Sequence, residues 1–356
     1  MKIVYLINEN LQSNSGVIQK IKAQVNQWTE YGHTVYLLSY KTMCIYDSEY
    51  KVLYQEDTVN IKFGKIGKAI EQLRNYYLIS KLIKKINFDF IYTRAIRYMP
   101  FITKVLKSNT VVMEINSDDT SEYKLRSKFR YIYNLLTREL ILKEVDAFVS
   151  VSRELKAKFE KYNKPIVVIA NGINPELYHI QYNSNTRPIL LFIGSPNQAW
   201  HGLDKIIKMS KYFTQYDFYI VGTEGEDTHN LKYFGYLSYE DSLKVLNQVD
   251  IGIATLSLYV KNMKEASPLK TRQYLACGLP IIYAYEDTDI SDEVDFALKL
   301  ENKENNLNFE KINIFVNKVF RNTEIKQNAR AFAITSLDFK SKEKLRLDFF
   351  KKVVNK

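Results

Sequence analysis

The sequence predicts an α/β chain of two domains, and three observations carry that prediction. The chain has 356 residues, more than one hydrophobic core usually serves. Short apolar runs alternate with segments of helical period from start to end, the pattern of parallel strands flanked by helices. A polar segment at 181–187, with Asn183, Asn185 and Thr186, interrupts that alternation near mid-chain and reads as a linker.

In the first half the expected strands are Lys2–Ile7, Thr34–Ser39, 88–92, 110–115, 146–151 and 166–170, with amphipathic stretches between them and Asn171-Gly172 closing the last with turn chemistry. The second half opens on a buried-type strand at 188–194. A helix at 202–212 follows, then strands at 217–222, 251–256 and 280–283, with a helix over Leu269–Ala276 before the last of these. After Asn305 the pattern is wholly helical, and the stretch 338–354 has no strand to follow it. The expected domains are therefore 1–183 and 184–337, with 338–356 as a helix packing back on the first.

Composition excludes several classes. A hydrophobic fraction of 46% rules out a disordered chain. No apolar stretch approaches bilayer length, and the opening MKIVYLINEN meets Glu9 before any cleavage-like site, so the expected location is cytoplasmic. Cys44 and Cys277 give no disulfide framework, and the four histidines (His33, His179, His201, His229) show no metal-ligand spacing. Neither a dinucleotide fingerprint nor a P-loop occurs. The net charge of +11 is uneven: residues 1–183 carry 27 Lys/Arg against 18 Asp/Glu, and residues 184–356 carry 24 against 22. Lys65, Lys68, Arg74, Lys81, Lys84 and Lys85 surround Tyr76 and Tyr77. Lys124, Arg126, Lys128 and Arg130 run beside Phe129, Tyr131 and Tyr133 at helical spacing. This pattern is either a solvated face or a surface for something anionic, such as a membrane. No recognition motif accompanies the charge, so no nucleic-acid partner is expected.

The segment with chemistry is Glu265-Ala-Ser-Pro-Leu-Lys-Thr-Arg-Gln273. Ser267 and Pro268 are N-cap and first-turn residues by type, so the amides of Leu269 and Lys270 would point out of a fresh helix end toward an anion. Gln273, four residues beyond Leu269, shares its face one turn on. With Tyr274-Leu-Ala-Cys-Gly-Leu-Pro-Ile-Ile282, the run resembles the retaining glycosyltransferases of family 4, whose signature is a Glu, seven residues and a second Glu, continued as EYLAsGlPvI. Gln273 departs from it by losing the charge of the second Glu.

The resemblance implies the GT-B fold, two Rossmann-like domains facing a cleft with the C-terminal helix crossing back to the first. It also implies metal-independent transfer with retention from a nucleotide-sugar donor, UDP favoured over GDP, to a glycan or lipid-linked acceptor. No cofactor beyond the donor is implied, and the setting would be surface-polysaccharide synthesis. Glu265 would orient the sugar, Lys270 would offset diphosphate charge and Gln273 would hold the ribose. Ser195 or Asn197 stands near where the family presents an Arg to the diphosphate, and His201 stands where it presents a Lys. Tyr236, after Phe234-Gly, falls in the stretch that holds the base. Asn14-Ser-Gly16 resembles the family's glycine loop, with the Gly16 amide near donor or acceptor, and Tyr31-Gly-His33 is a structural turn. Asn116 is the counterpart of a His beside the reacting sugar, with Glu114 and Arg94 as neighbouring acceptor contacts. Asp287-Thr-Asp289 has the spacing of a metal-binding pair but follows the second domain's last strand and reads as loop. A sugar-nucleotide epimerase of the same architecture, or a catalytically silent partner subunit, remains the alternative.

Overall fold

A computed structural model describes residues 1–13, 15–56, 64–290 and 294–355. Asn14 and the side chains of Lys65 and Lys68, which the sequence reading singles out, lie outside the described residues. The chain divides into two compact units, one made of Met1–Ile169 with Glu343–Lys356 and the other of Ala170–Lys342.

The first unit runs β1 (Lys2–Ile7), α1 (Gly16–Glu30), β2 (Thr34–Ser39), β3 (Cys44–Tyr46), β4 (Val52–Gln55), α2 (Gly64–Leu82), β5 (Phe90–Arg94), α3 (Ile102–Lys107), β6 (Val111–Ile115), α4 (Asp119–Arg126), α5 (Lys128–Leu142), β7 (Ala147–Ser150), α6 (Arg153–Phe159) and β8 (Ile166–Val168). Its sheet has the order β4-β3-β2-β1-β5-β6-β7-β8. β2, β1 and β5 to β8 are parallel, and β3 and β4 are antiparallel additions at one edge. Ile3, Val4, Tyr5 and Leu6 on β1 are all fully buried, as a central strand covered by helices on both faces must be. The strand order reverses between β1 and β5, which opens a crevice at their carboxyl ends.

The second unit runs β9 (Ile189–Ile193), α7 (Leu203–Tyr212), β10 (Asp217–Val221), β11 (Leu231–Tyr233), α8 (Tyr239–Leu246), β12 (Ile251–Ile253), β13 (Glu265–Ala266), α9 (Leu269–Ala276), β14 (Ile281–Tyr283), β15 (Glu286–Asp287), β16 (Ala297–Lys299), α10 (Phe309–Val319), α11 (Thr323–Ser336) and α12 (Phe339–Val354). A parallel sheet of order β11-β10-β9-β12-β14-β16 forms its core, with β13 and β15 paired separately. Here the order reverses at β9. The residues of α12 from Glu343 onward belong to the first unit. There Leu347, Phe350 and Val353 join Trp28, Tyr5 and Tyr92 in one core, and the Phe350 ring meets Trp28 edge-on at 5.5 Å.

Two local readings differ from the structure. The polar segment 181–187 lies inside the second unit, because its asparagines are anchored there: Asn183 donates to the Val249 carbonyl and Asn185 to the Gln248 carbonyl and the Asp250 carboxylate. The basic stretch 124–133 is not one helix. Ser127 adopts extended backbone (φ −167°), ends α4 and caps α5 by accepting from the Arg130 amide. Lys124 and Arg126 therefore lie on one helix, and Lys128 and Arg130 on the next. Among the described residues no helix is long and apolar enough to cross a membrane.

Candidate functional site

The signature segment folds as a short strand, a turn and a helix, and three side chains fix the helix in place. Tyr274 accepts the Ile193 amide at the end of β9 (2.9 Å), and Thr271 pairs with the Tyr285 hydroxyl (2.6 Å). Arg272, fully buried, donates to the Asn171 carbonyl (3.1 Å) and is ion-paired with Asp287 and Asp289. Burial on its own would discharge such a guanidinium, but the two carboxylates outweigh it and hold its pKa up. Thr271, Arg272, Tyr274 and Leu275 are buried, while Leu269, Lys270 and Gln273 are half-buried on the remaining face.

Lys270 is the unusual member of that face. Its Nζ is buried without a hydrogen-bond partner among the described residues and stands 4.0 Å from the centre of the Phe192 ring. Burial pushes the ammonium down to about 7, since an apolar surrounding penalises the charged form. The helix it opens has Pro268 at the N-cap with no side-chain cap, so the first amides of α9 are left for another acceptor. The expected cap, Ser267, is used elsewhere: its hydroxyl accepts the Asn171 amide (2.8 Å) and its carbonyl accepts the Asn171 side-chain amide (2.5 Å). Proline at the cap position leaves the serine one residue too early to cap. Glu265 is buried on β13, three residues before that cap.

His201 lies on the turn Ala199–His201 before α7. Its ring packs edge-on against Phe192 at 5.3 Å, and the Ser195 backbone hydrogen-bonds to it. Burial first, then the charges of Lys270 and Lys261, push the imidazole down to about 2, so it stays neutral. His201 therefore cannot replace a lysine's charge. The charge beside it comes from Lys261, which the sequence reading missed. It comes from the turn Leu258–Lys261, is itself buried and places its ammonium 4.5 Å over the Trp200 ring. No spacing rule links residues 201 and 261; only the fold brings them together.

A recess of about 550 Å³ adjoins these loops, lined by Pro196, Asn197, Gly222, Thr223, Glu224 and Tyr236. It sits past the carboxyl ends of β9 and β10, beside the strand-order reversal, where open α/β sheets bind ligands. Gly222 has φ +93°, and a Cβ there would collide with the Gly194 carbonyl oxygen. That close approach lets the two loops form one wall. Tyr236 is 74% exposed at the edge of this recess. Ser195, also exposed, stands on the β9 loop.

Asp287 and Asp289 belong to the buried framework, not to an open loop. Asp287 is on β15, paired with β13, and both carboxylates hold Arg272 while Lys342 holds Asp289 at 2.8 Å.

In the first unit Gly16 is the first residue of α1, whose N-cap Ser15 accepts the Ile18 amide. Lys20, one turn on, donates to Glu114 (2.8 Å) and to Asn116 (3.2 Å), and Asn116 donates to the other Glu114 oxygen (3.0 Å). Arg346 adds a bond to Glu114 at 3.2 Å. Burial would raise the Glu114 pKa, but Lys20, Arg346 and Arg94 outweigh it and hold the carboxyl well below its usual range. Glu114 is thus a fully buried structural anion, which corrects its reading as an acceptor contact. Asn116 remains half-buried at the end of β6, orienting Lys20 and Glu114.

With this geometry in hand, similarity to known proteins is informative. The sequence model for Glycosyltransferase Family 4 matches residues 16–177. Sucrose-phosphate synthase from Thermosynechococcus elongatus is 13% identical and superposes with a TM-score of 0.78 over 99% of each chain. Anabaena HepE, solved with UDP and glucose, is 14% identical with a TM-score of 0.65 over 99% of this chain and 100% of its own. The lipopolysaccharide outer core galactosyltransferase WaaB is 13% identical with a TM-score of 0.62 over 99% and 100%. These likenesses run the full length and show the fold, GT-B. No curated protein matches the chain by sequence.

Proposed function

We propose that the chain is a glycosyltransferase of the GT-B type and that it moves a sugar from a UDP-sugar to a glycan or lipid-linked acceptor with retention and without a metal. The observation that carries this reading is the unpaired Lys270 ammonium at the uncapped start of α9, a place that favours a diphosphate. The acceptor hydroxyl attacks the anomeric carbon on the face of the departing diphosphate. As the carbon–oxygen bond to that diphosphate breaks, the leaving oxygen takes the acceptor proton. Lys270, Lys261 and the α9 amides offset the charge that develops. Glu265 orients the sugar hydroxyls, Gln273 holds the ribose by a neutral hydrogen bond, and Tyr236 lies over the base. Metal independence is supported by Asp287 and Asp289 being already paired with Arg272 and Lys342. UDP is favoured by analogy with HepE, and a surface-polysaccharide acceptor by analogy with WaaB.

The experiment is transfer from labelled UDP- and GDP-sugars in excess EDTA, with the product anomer read by NMR, for wild type and Glu265→Ala. Retained product from a UDP-sugar, slowed by orders of magnitude in Glu265→Ala, is expected. Inverted product, or a rate restored only by manganese, would refute the mechanism. Epimer formed without acceptor would assign the chain to the epimerases.

A membrane-borne acceptor is favoured by α5, which exposes Phe129 (79%), Ile132, Leu136 (76%) and Leu140 along one stripe beside Lys128 and Arg130. A basic, apolar-edged helix of this kind adsorbs at an anionic leaflet, here the inner face of the cell membrane. Co-sedimentation with phosphatidylglycerol vesicles should be lost in Phe129→Asp/Leu136→Asp; equal binding to phosphatidylcholine, or none at low salt, would sink this part.

A further inference from the structure

We infer that a second cavity, lying wholly in the first unit, receives a phosphate or diphosphate group carried by the acceptor, an assignment that rests on the transferase reading above. The cavity measures about 630 Å³, within the range of about 300–1,000 Å³ of small-molecule sites. It lies past the carboxyl ends of β1, β2 and β5, at the reversal of strand order in that sheet. Arg94, Arg97, Arg126 and Arg130 line it, against two carboxylates, Glu9 and Glu122.

Those arginines come from four places in the chain. Arg94 ends β5, Arg97 is on the following loop, Arg126 ends α4 and Arg130 is in the first turn of α5. A solvated basic face sends all its side chains outward into water, but here Arg94 and Arg97 are half-buried and the exposed Arg126 and Arg130 line the same concavity. The Ser127 break puts Arg126 at the end of α4 and Arg130 in the first turn of α5. Arg94 carries the clearest sign of a missing partner. Its Nη1 is buried with no hydrogen bond among the described residues. The nearby carboxylate that could have satisfied it, Glu114, is held by Lys20, Arg346 and Asn116. A guanidinium left with a buried free N–H wants an acceptor of matching geometry, and phosphate oxygens supply one.

Neutral donors complete the lining. Tyr40, Tyr76 and Tyr123 are all present, and burial raises the pKa of Tyr40 and of Tyr123. Their hydroxyls therefore keep the protons they would donate to an anion. An uncharged sugar would find too many charges to desolvate, and an apolar ligand would strand them. The chemistry fits a sugar phosphate or a lipid phosphate equally.

The test uses inorganic pyrophosphate as the probe, titrated by calorimetry into the full-length Lys270→Met protein, in which the proposed donor site is disabled. One binding event is expected there, weakened at least tenfold by adding Arg97→Gln or Arg130→Gln, two substitutions on side chains that are only half-buried or exposed. Arg97→Gln and Arg130→Gln on their own should bind UDP as the wild type does. Pyrophosphate binding in wild type that vanishes in Lys270→Met would leave one anion site and overturn the inference while sparing the donor assignment. Binding in Lys270→Met that neither arginine change weakens would overturn it as well. Failure of UDP to bind the wild type would instead overturn the donor reading. Competition by vesicles containing phosphatidic acid, and not by phosphatidylcholine, would identify a lipid headgroup as the source of the anion; persistence of pyrophosphate binding beside such vesicles would identify a soluble phosphate. Either result upholds the site.

Discussion

Raising the pH should dismantle the proposed donor site by discharging one side chain. The Lys270 ammonium, pushed down to about 7 by burial, is half charged at pH 7 in the empty protein. At pH 9 only about one molecule in a hundred carries the charge, so a ligand that requires it binds about 50-fold more weakly, about 2.3 kcal/mol. The bound diphosphate raises the ammonium's pKa again, so binding above pH 7 takes up a proton. The sign follows: affinity is full below pH 7 and falls as pH rises through it. His201 adds no slope, since burial and the two neighbouring lysines keep it neutral throughout. The assay is calorimetric titration with a UDP-sugar, whose diphosphate has no group titrating in this range. It is run from pH 6 to 9 in two buffers of different ionisation enthalpy. A flat Kd between pH 7 and 9, or heats independent of the buffer, would refute the argument that Lys270 holds the diphosphate. Folding responds in the opposite direction. Between about pH 7 and the unfolded value of 10.5 the unfolded chain binds more protons, so this residue makes the empty fold more stable as pH rises.

Other expectations follow from the same geometry. Lys270→Met should raise the melting temperature of the ligand-free protein, because an unpaired buried ammonium is replaced by an apolar chain of similar length, while transfer falls by orders of magnitude; a lower melting temperature would contradict the unpaired state. Asp287→Ala should cost about 3–5 kcal/mol by leaving buried Arg272 with Asp289 as its one remaining carboxylate, read by denaturant unfolding, and manganese should restore none of the lost activity. Gln273→Glu should remain active, since a neutral hydrogen bond of about 0.5–1.5 kcal/mol is exchanged for a charged one; loss of donor binding with the fold intact would remove Gln273 from the ribose.

The central strands were legible because apolar runs such as Lys2–Ile7 and Ile189–Ile193 are buried on both faces and carry no competing helical period. The signature helix was legible to the residue, over Leu269–Ala276, because proline and glycine bracket it. The hairpin of β3 and β4 was not, since β4 is exposed along its whole length and shows no alternation. In the site, Lys270 was visible through its place beside Pro268. Lys261, Asn171 and the pair of Arg272 with Asp287 were not, because each depends on a contact between segments that no sequence period connects. The excess of basic residues in the first half was equally visible, but the fold decided that four of its arginines line a cavity.

The composition of the first unit from both ends of the chain has a consequence for synthesis. Its core is incomplete without Phe350, and the Trp28 indole donates to Glu343 (2.8 Å) while Arg346 bonds the Tyr92 hydroxyl (2.8 Å). As the ribosome delivers the chain from its amino end, β1 to β8 emerge first yet must wait with an open aromatic cavity and a half-neutralised Glu114 until α12 appears. The unit encoded second, a single continuous segment of the chain, can close before the one encoded first. A nascent chain released or stalled before residue 343 would therefore carry a finished second unit and an unfinished first, exposing Trp28 and Tyr92 to chaperones and proteases.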